Sequence, residues 1–372
     1  MKILIATGIF TPEIGGPATY VPLVAEQFLH LGHEVAVISY SDKTSYEQDK
    51  TLSYPVTRIV RSNKISNYWR YFRALFKLAP KYDLIYCFDH FSAGLPAATV
   101  SQIFGKPLYV RVGGDFIWER YVEHNSVTLE QYYEHGLYKK DINRFKLINW
   151  VFQTSRAIIF TTDWQKNIFS KYYNLGNKKL FVINNPIDQK LDIRRDENNI
   201  SNDIIFAGRF INKNNIFNLI KAFVAWSQDK YKLVLIGEGP LKNKLENLII
   251  ENNYQNIIIL DKLSRVELVK KMAQSWLVVF PSLSDISPNT MLDCVQAKIP
   301  FVSTQEMGFD WLKNNIKLFD PTKSAEITGC LEYLADENNY SRYTKNISEL
   351  VYSYFYKQAA EDTIKIFENK NQ

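Results

Sequence analysis

Short apolar runs alternate along the chain with stretches whose apolar residues recur every three or four positions. The runs at 3–6, 35–39, 84–88, 108–112 and 157–161 read as buried strands. Between the first two, Tyr20, Val21, Val24, Ala25, Phe28 and Leu29 recur at helical spacing over 18–31, and Gly32 stops the helix. Strand, helix and strand in succession predict an α/β fold with a parallel, doubly wound sheet. The pattern pauses at Asn184-Asn185-Pro186-Ile187-Asp188, and a polar stretch, 189–202, follows as the expected linker. A second series of runs, at 204–207, 233–236, 257–260, 277–280 and 301–303, then alternates with helical patterns at 216–226, 241–250, 266–273 and 289–297. Two α/β domains joined near residue 190 are therefore expected. Ligands of open α/β sheets bind outside the strand carboxyl ends, so the loops of both domains would line a cleft between them.

A length of 372 residues suits two such domains. Apolar residues at 46% and charged residues at 23% argue against global disorder, and no apolar run is long enough to span a membrane. The opening Met1–Thr7 enters Phe10-Thr11-Pro12-Glu13 without a small-residue cleavage site, so it reads as a first strand rather than a secretory signal. Cys87, Cys294 and Cys330 are far apart, which suits a reducing compartment and gives no zinc pattern. A cytoplasmic location, peripheral at a membrane, is the expectation. Charge adds an asymmetry. Residues 1–190 hold 23 of the 45 Lys/Arg and 16 of the 39 Asp/Glu, so the first half is basic and the second nearly neutral. A basic half suits an anionic membrane, nucleic acid or an anionic ligand, and does not choose among them. The stretch 64–81 sharpens the first option. Ile65, Trp69, Phe72, Leu75, Phe76 and Ala79 form a stripe, accompanied by Lys64, Arg70, Arg73, Lys77 and Lys81. Such a helix suits an anionic membrane surface, and equally a place packed on the sheet.

Five segments at expected strand ends carry candidate chemistry. Gly15 and Gly16, after the first strand, allow close backbone approach to a ligand ahead of a helix N-terminus. Gly208-Arg209, followed by Lys213, ends the first strand of the second series, where an arginine can pair with phosphate. In Ser284-Asp285-Ile286-Ser287-Pro288-Asn289, Ser287 is a natural N-cap and Pro288 a natural first helical residue, which predicts a helix start and an anion site. Asn289 and Asp293 then share a face, and Asp285 precedes the cap. A phosphate at this tip would have a carboxylate on either side, one for a sugar hydroxyl and one for a ribose diol. Gly113-Gly114-Asp115 places an acid at another strand end, and Asp89-His90 is similar, although a lone histidine is more often structural. Neither G-x-G-x-x-G nor G-x-x-x-x-G-K-[ST] occurs, which weakens a dinucleotide or P-loop reading.

In order and spacing these segments resemble the family-four retaining glycosyltransferases with the GT-B fold, over nearly the whole chain. The loop Pro12-Glu13-Ile14-Gly15-Gly16 and Gly32-His33-Glu34-Val35 resemble that family's opening, and Val182-Ile183-Asn184-Asn185-Pro186-Ile187-Asp188 its interdomain motif. Gly208-Arg209-Phe210, Gly237-Glu238-Gly239-Pro240-Leu241 and Phe280-Pro281-Ser282 resemble its donor domain, with Asp285 and Asp293 at the ends of a Glu-x7-Glu signature. The resemblance implies an acceptor domain at 1–190, a nucleotide-sugar domain at 191–352, and a terminal helix within 353–372 that crosses back. It implies sugar transfer from a nucleotide sugar to a glycan or lipid-linked acceptor with retention, no cofactor, no metal and no nucleic-acid partner. By the same resemblance Asp285 contacts the donor hexose, and Arg209 with Lys213 neutralises the diphosphate. Asp293 holds the ribose, Gly15, Gly16, Gly208, Ser287, Pro288 and Asn289 complete the donor site, and Asp115 replaces a first-domain histidine. Three departures stand out. Both signature glutamates are aspartates, the family lysine aligns with Asn214 rather than Lys213, and the usual histidine has no match. The alternatives are a nucleotide-sugar-binding protein without turnover and a nicotinamide-dependent oxidoreductase.

Overall fold

The structure is a computed structural model that describes residues 1–13, 15–176, 178–188, 193–226 and 229–369. The expected strands form, together with three short ones that the pattern does not reveal. β1 (Lys2–Thr7), β2 (Glu34–Ser41), β3 (Val56–Val60), β4 (Leu84–Cys87), β5 (Leu108–Val112), β6 (Ala157–Phe160) and β7 (Lys179–Val182) make a parallel sheet ordered β3-β2-β1-β4-β5-β6-β7. β8 (Asp203–Ala207), β9 (Lys232–Ile236), β10 (Ile257–Leu260), β11 (Leu277–Phe280), β12 (Phe301–Thr304) and β13 (Leu318–Phe319) make a second, ordered β10-β9-β8-β11-β12-β13. Each is doubly wound, with its order reversing beside its first strand. The unexpected β3, β7 and β13 all lie at sheet edges. In β3 the apolar run is interrupted by Arg58, whose buried guanidinium is paired with Asp49 at 2.6 Å.

The chain divides into two compact units. Unit 1 comprises Met1–Ile117, Leu137–Pro186 and the residues from Tyr354 on, while unit 2 comprises Trp118–Gly136 and Ile187–Ser353. Assignment of all of 1–190 to one domain is thus corrected: the segment Trp118–Gly136 leaves unit 1 after β5 and packs into unit 2. The reason is specific bonding. The Leu129 amide donates to Ser284 Oγ at 2.8 Å, Asn212 donates to the Glu123 carbonyl, and Trp118 is fully buried. Residues 189–192 of the expected linker lie outside the described residues. Its remainder is held to unit 2, where Arg195 donates to the Ser275 carbonyl at 2.6 Å and Ser201 to that of Gln274.

In unit 1 the helix Tyr356–Glu368 returns to the helix Gly16–His30. Phe367 stacks near Phe28, Tyr86 and Tyr109, with ring centroids 4.5–6.3 Å apart, in one apolar cluster. The last three residues of the expected 353–372 segment lie outside the described residues. The helix Lys64–Leu78 also forms, but its apolar stripe is not single. Leu75 and the following Ala79 are buried, whereas Ile65, Trp69 and Phe76 face outward. At 100° per residue the stripe is wider than the face the sheet can cover. Among the described residues no helix is long and apolar enough to cross a membrane.

Candidate active site

The second sheet reverses its order between β8 and β11, which pair through Ile204–Leu277 and Ile205–Val278. The loops that leave these two strands are laced together. The Leu283 amide donates to the Lys213 carbonyl at 2.8 Å, and the Asn215 side chain donates to the Pro281 carbonyl at 3.1 Å. A third loop, after β9, clamps the first from the other side: the Phe210 amide donates to the Glu238 carbonyl at 2.7 Å. That approach needs glycine. A Cβ on Gly237 would lie 2.0 Å from the Gly208 carbonyl oxygen, and one on Gly239 would lie 2.5 Å from that of Phe210. Asn214 is spent on the same scaffold, donating to the Arg209 carbonyl at 2.7 Å.

This scaffold brings Lys213 and Asp285 together. Asp285 is clamped through its backbone, its amide donating to the Glu306 carbonyl and its own carbonyl accepting from Gly308. Lys213 Nζ lies 2.9 Å from Glu119 Oε1 and 5.6 Å from the centre of the Trp118 ring. Burial pulls the Lys213 pKa down, but the carboxylates of Glu119 and Asp285 outweigh it and leave it raised, so the ammonium stays charged. Burial raises the Asp285 carboxyl above its ordinary range. Lys213 and a hydrogen bond from Ser282 oppose that rise, and Glu119 adds to it. The Arg209 guanidinium is exposed and near enough to repel the Lys213 charge. Behind Asp285, Ser284 Oγ bonds the Glu306 carboxylate at 3.3 Å. Burial and the charge of Glu130 push Glu306 up to about 7, against hydrogen bonds from Ser284 and Thr128.

The helix expected here spans Asn289–Ala297, as its apolar spacing predicts, but its cap lies one residue later than expected. Pro288 is its N-cap, at φ −74° and ψ 111°, so Ser287 is not the cap. A prolyl ring has no polar atom to cap the helix, and no side chain at the cap position bonds its amides. Asp293, one turn in, is buried and held by Arg265, with Nη2–Oδ1 at 2.6 Å and Nε–Oδ2 at 3.3 Å. Arg265 also lies 3.9 Å from Asp188. Burial raises the Asp293 pKa, Arg265 lowers it, and Asp188 raises it further.

The structure thus gathers Gly208, Arg209, Lys213 and Asp285 around the β8–β11 reversal, with Ser287, Pro288, Asn289 and Asp293 following on the same stretch of chain. Gly15, Gly16 and Asp115 belong to unit 1. Gly15 has φ 153°, and a Cβ there would meet Ile9 at 2.4 Å, so this turn requires glycine. Asp115 is fully buried, and the amide of the next residue, Phe116, faces His90 Nε2 at 3.4 Å. Sequence reasoning did not assign Glu119, Arg265 or Glu306 to the site. Glu119 lies four residues beyond Asp115, but its destination depends on Trp118–Gly136 entering unit 2. Arg265 follows the helix cap Ser264, and nothing local marks its partner.

Two doubly wound parallel sheets with a cation–carboxylate cluster at one reversal give the fold class, and comparison with known proteins gives the family. The family model Glycosyltransferase Family 4 matches residues 14–191, and Glycosyl transferases group 1 matches 189–349. The chain belongs to the family-four type of glycosyltransferase, with the GT-B fold. It is 30% identical over 184 residues to an uncharacterized glycosyltransferase of Methanocaldococcus jannaschii, a match covering 46% of this chain and 45% of that protein. It is 23% identical to alpha-monoglucosyldiacylglycerol synthase of Acholeplasma laidlawii, over 83% of this chain and 82% of that one. The structure of Anabaena HepE in complex with UDP-glucose superposes with a TM-score of 0.78 at 16% identity, covering 98% of this chain and 100% of that one.

Proposed function

We propose that this glycosyltransferase moves a hexose from a nucleoside-diphosphate sugar to a glycan or lipid-linked acceptor, with retention and without a metal ion, at an anionic membrane surface. The observation that carries the reading is the cluster of Arg209, Lys213 and Asp285 at the β8–β11 reversal, ahead of a helix whose N-cap is a proline. As the glycosidic bond to the diphosphate breaks, negative charge grows on the leaving oxygens. Lys213, Arg209 and the helix end at Asn289 are the groups suited to that charge, and Lys213, held in advance by Glu119 and Asp285, needs little reorganisation. Asp285 contacts the hexose beside the reacting carbon, and Asp293 accepts hydrogen bonds from the ribose. Unit 1 supplies the acceptor side, while its Gly15 and Gly16 complete the donor site at the reaction centre and Asp115 takes the place of the first-domain histidine. The UDP-glucose in the HepE structure and the glucosyl-lipid product in the synthase's name support a nucleotide sugar and leave a lipid-linked acceptor open to test.

The test is mass spectrometry of the protein incubated with mixed nucleotide sugars and an acceptor panel, in EDTA. Proton NMR of the product then reads the anomeric configuration. A product with the donor's configuration, formed in EDTA, is expected. An inverted product, or turnover only with added divalent ions, overturns the corresponding part. The shortening of both signature acids by one methylene favours a second reading, donor binding without turnover. Calorimetric binding of a nucleotide sugar with no product across the panel would select it.

A further inference from the structure

We infer that unit 1 docks on anionic lipid bilayers through a layer of three helices, wider than the basic stretch at 64–81. The inference rests on the membrane part of the reading above and gives it a surface. The helix Lys64–Leu78 packs on Gly94–Phe104, which packs on Ile142–Thr154. Phe76 bridges the first two, its ring centroid 4.7 Å from that of Phe104. All three helices belong to unit 1.

Two observations select a lipid surface. The first is apolar exposure on every helix of the layer. Ile65 is 75% exposed, Trp69 55% and Phe76 41%, with Ile103 at 53%, Ile142 at 39% and Leu147 at 43%. Along Lys64–Leu78 the three form one line, because positions 65, 69 and 76 fall within about 40° of each other at 100° per residue. This line is separate from the inner face that buries Tyr71 and Leu75. The second is charge. Over 64–81, 94–106 and 137–154 the sequence holds ten Lys/Arg and one acid, Asp141, and Arg144 pairs with that acid at 2.8 Å. Arg73 and Lys77 flank the apolar line, and both are exposed. An apolar ridge set in a field of positive charge inserts among acyl chains while its cations meet anionic headgroups. A wholly polar polyanion would leave Ile65 and Trp69 in water. A second copy of the same face would oppose positive charge with positive charge.

The experiment is flotation of the full chain with vesicles of phosphatidylcholine alone and of phosphatidylcholine mixed with phosphatidylglycerol, at low and high salt. Binding to the anionic vesicles that weakens at least about tenfold in high salt or on neutral vesicles is expected. Ile65→Ser/Trp69→Ser/Phe76→Ser, all at exposed positions, and separately Arg73→Gln/Lys77→Gln/Lys146→Gln should each weaken it by about tenfold or more. Circular dichroism checks that each variant is folded. Equal binding to both vesicle types, no binding, or variants that bind like the parent overturn the proposal. So does concentration-dependent dimerisation abolished by the serine variant, or heparin binding without vesicle binding. UDP titration of the same samples reads unit 2 independently. Vesicle binding without nucleotide binding keeps the docking face and removes the transferase reading, and the reverse result removes only the face.

Discussion

The two aspartates of the signature lie eight residues apart and are built differently. Around Asp285 the protein supplies a lysine that is itself shared with Glu119, so the carboxylate is partly compensated and its pKa rises with burial. Around Asp293 it supplies Arg265 in two contacts, at 2.6 and 3.3 Å, on a buried carboxylate. Lys213 gives its short contact, 2.9 Å, to Glu119, whereas Arg265 gives its short contact to Asp293 and lies 3.9 Å from Asp188, so Asp285 is the less firmly held acid. An acid gripped by an arginine is a fixed acceptor, and its removal strands a cation. The contrast teaches that similar side chains in one motif are set apart by their neighbours, and on the function proposed above Asp285 would be the reacting end and Asp293 the holding end.

The largest effect that would break the contrast belongs to Asp285→Asn. Transfer should fall by about a hundredfold or more, the scale of losing one preorganised electrostatic group. Affinity for the nucleoside diphosphate should change by less than about threefold. Initial rates alongside calorimetry decide it, and an affinity loss that matches the rate loss would reverse the two roles. Next, Lys213→Ala and Arg209→Ala should each slow transfer by at least about tenfold, through lost stabilisation of the leaving diphosphate. Lys213 should cost more, because Glu119 and Asp285 hold it in place whereas Arg209 is exposed. Equal, near-parental rates would remove both from the reaction.

At the holding end, Asp293→Asn should weaken nucleotide binding by about tenfold, since hydrogen bonds to charged acceptors contribute roughly 1.5–3 kcal/mol. It should also lower stability by about 1 kcal/mol, because the charged 2.6 Å contact with Arg265 is weakened while Arg265 is itself partly solvated. Urea denaturation beside the calorimetry checks both. Unchanged stability would mean that Arg265 and Asp293 are not coupled. The smallest effect sharpens the reacting end. Glu306, whose carbonyl accepts the Asp285 amide, has a folded pKa raised to about 7. The folded state therefore binds its proton more firmly than the unfolded chain. This contribution to stability is present below about pH 4 and is lost as pH rises through about 7, at up to roughly 1.4 kcal/mol per pH unit. Glu306→Gln should flatten the dependence of the urea midpoint between about pH 5 and 7. A variant with the parental slope would assign the slope to other groups.

Much of the fold was legible because its signals are local. Apolar runs at 108–112, 257–260 and 277–280 coincide with β5, β10 and β11, and the helical pattern at 216–226 with a helix, since buried parallel strands leave runs with few polar interruptions. β3 was obscured by Arg58, whose burial is compensated by Asp49, the Thr11 carbonyl and the Tyr46 ring. The helical pattern at 289–297 coincides with the helix, but its cap was misjudged by one residue, because a proline is compatible with both an N-cap and a first helical turn.

By itself, then, the sequence determined two parallel sheets, the strand ends that carry Gly208-Arg209 and Asp285, and the helix that carries Asp293. Each follows from propensity and periodicity over a dozen residues or fewer. Tertiary structure alone decided which charges meet. Glu119 reaches Lys213 across 94 positions, and Arg265 reaches Asp293 across 28. It also decided that Trp118–Gly136 packs into the second unit, and that Ile65, Trp69 and Phe76 stay in the open while Leu75 is buried. The physical reason is that a side chain's periodicity records only that it has a preferred face. What covers that face, and which distant charge compensates it, is set by packing between elements whose meeting no local pattern encodes.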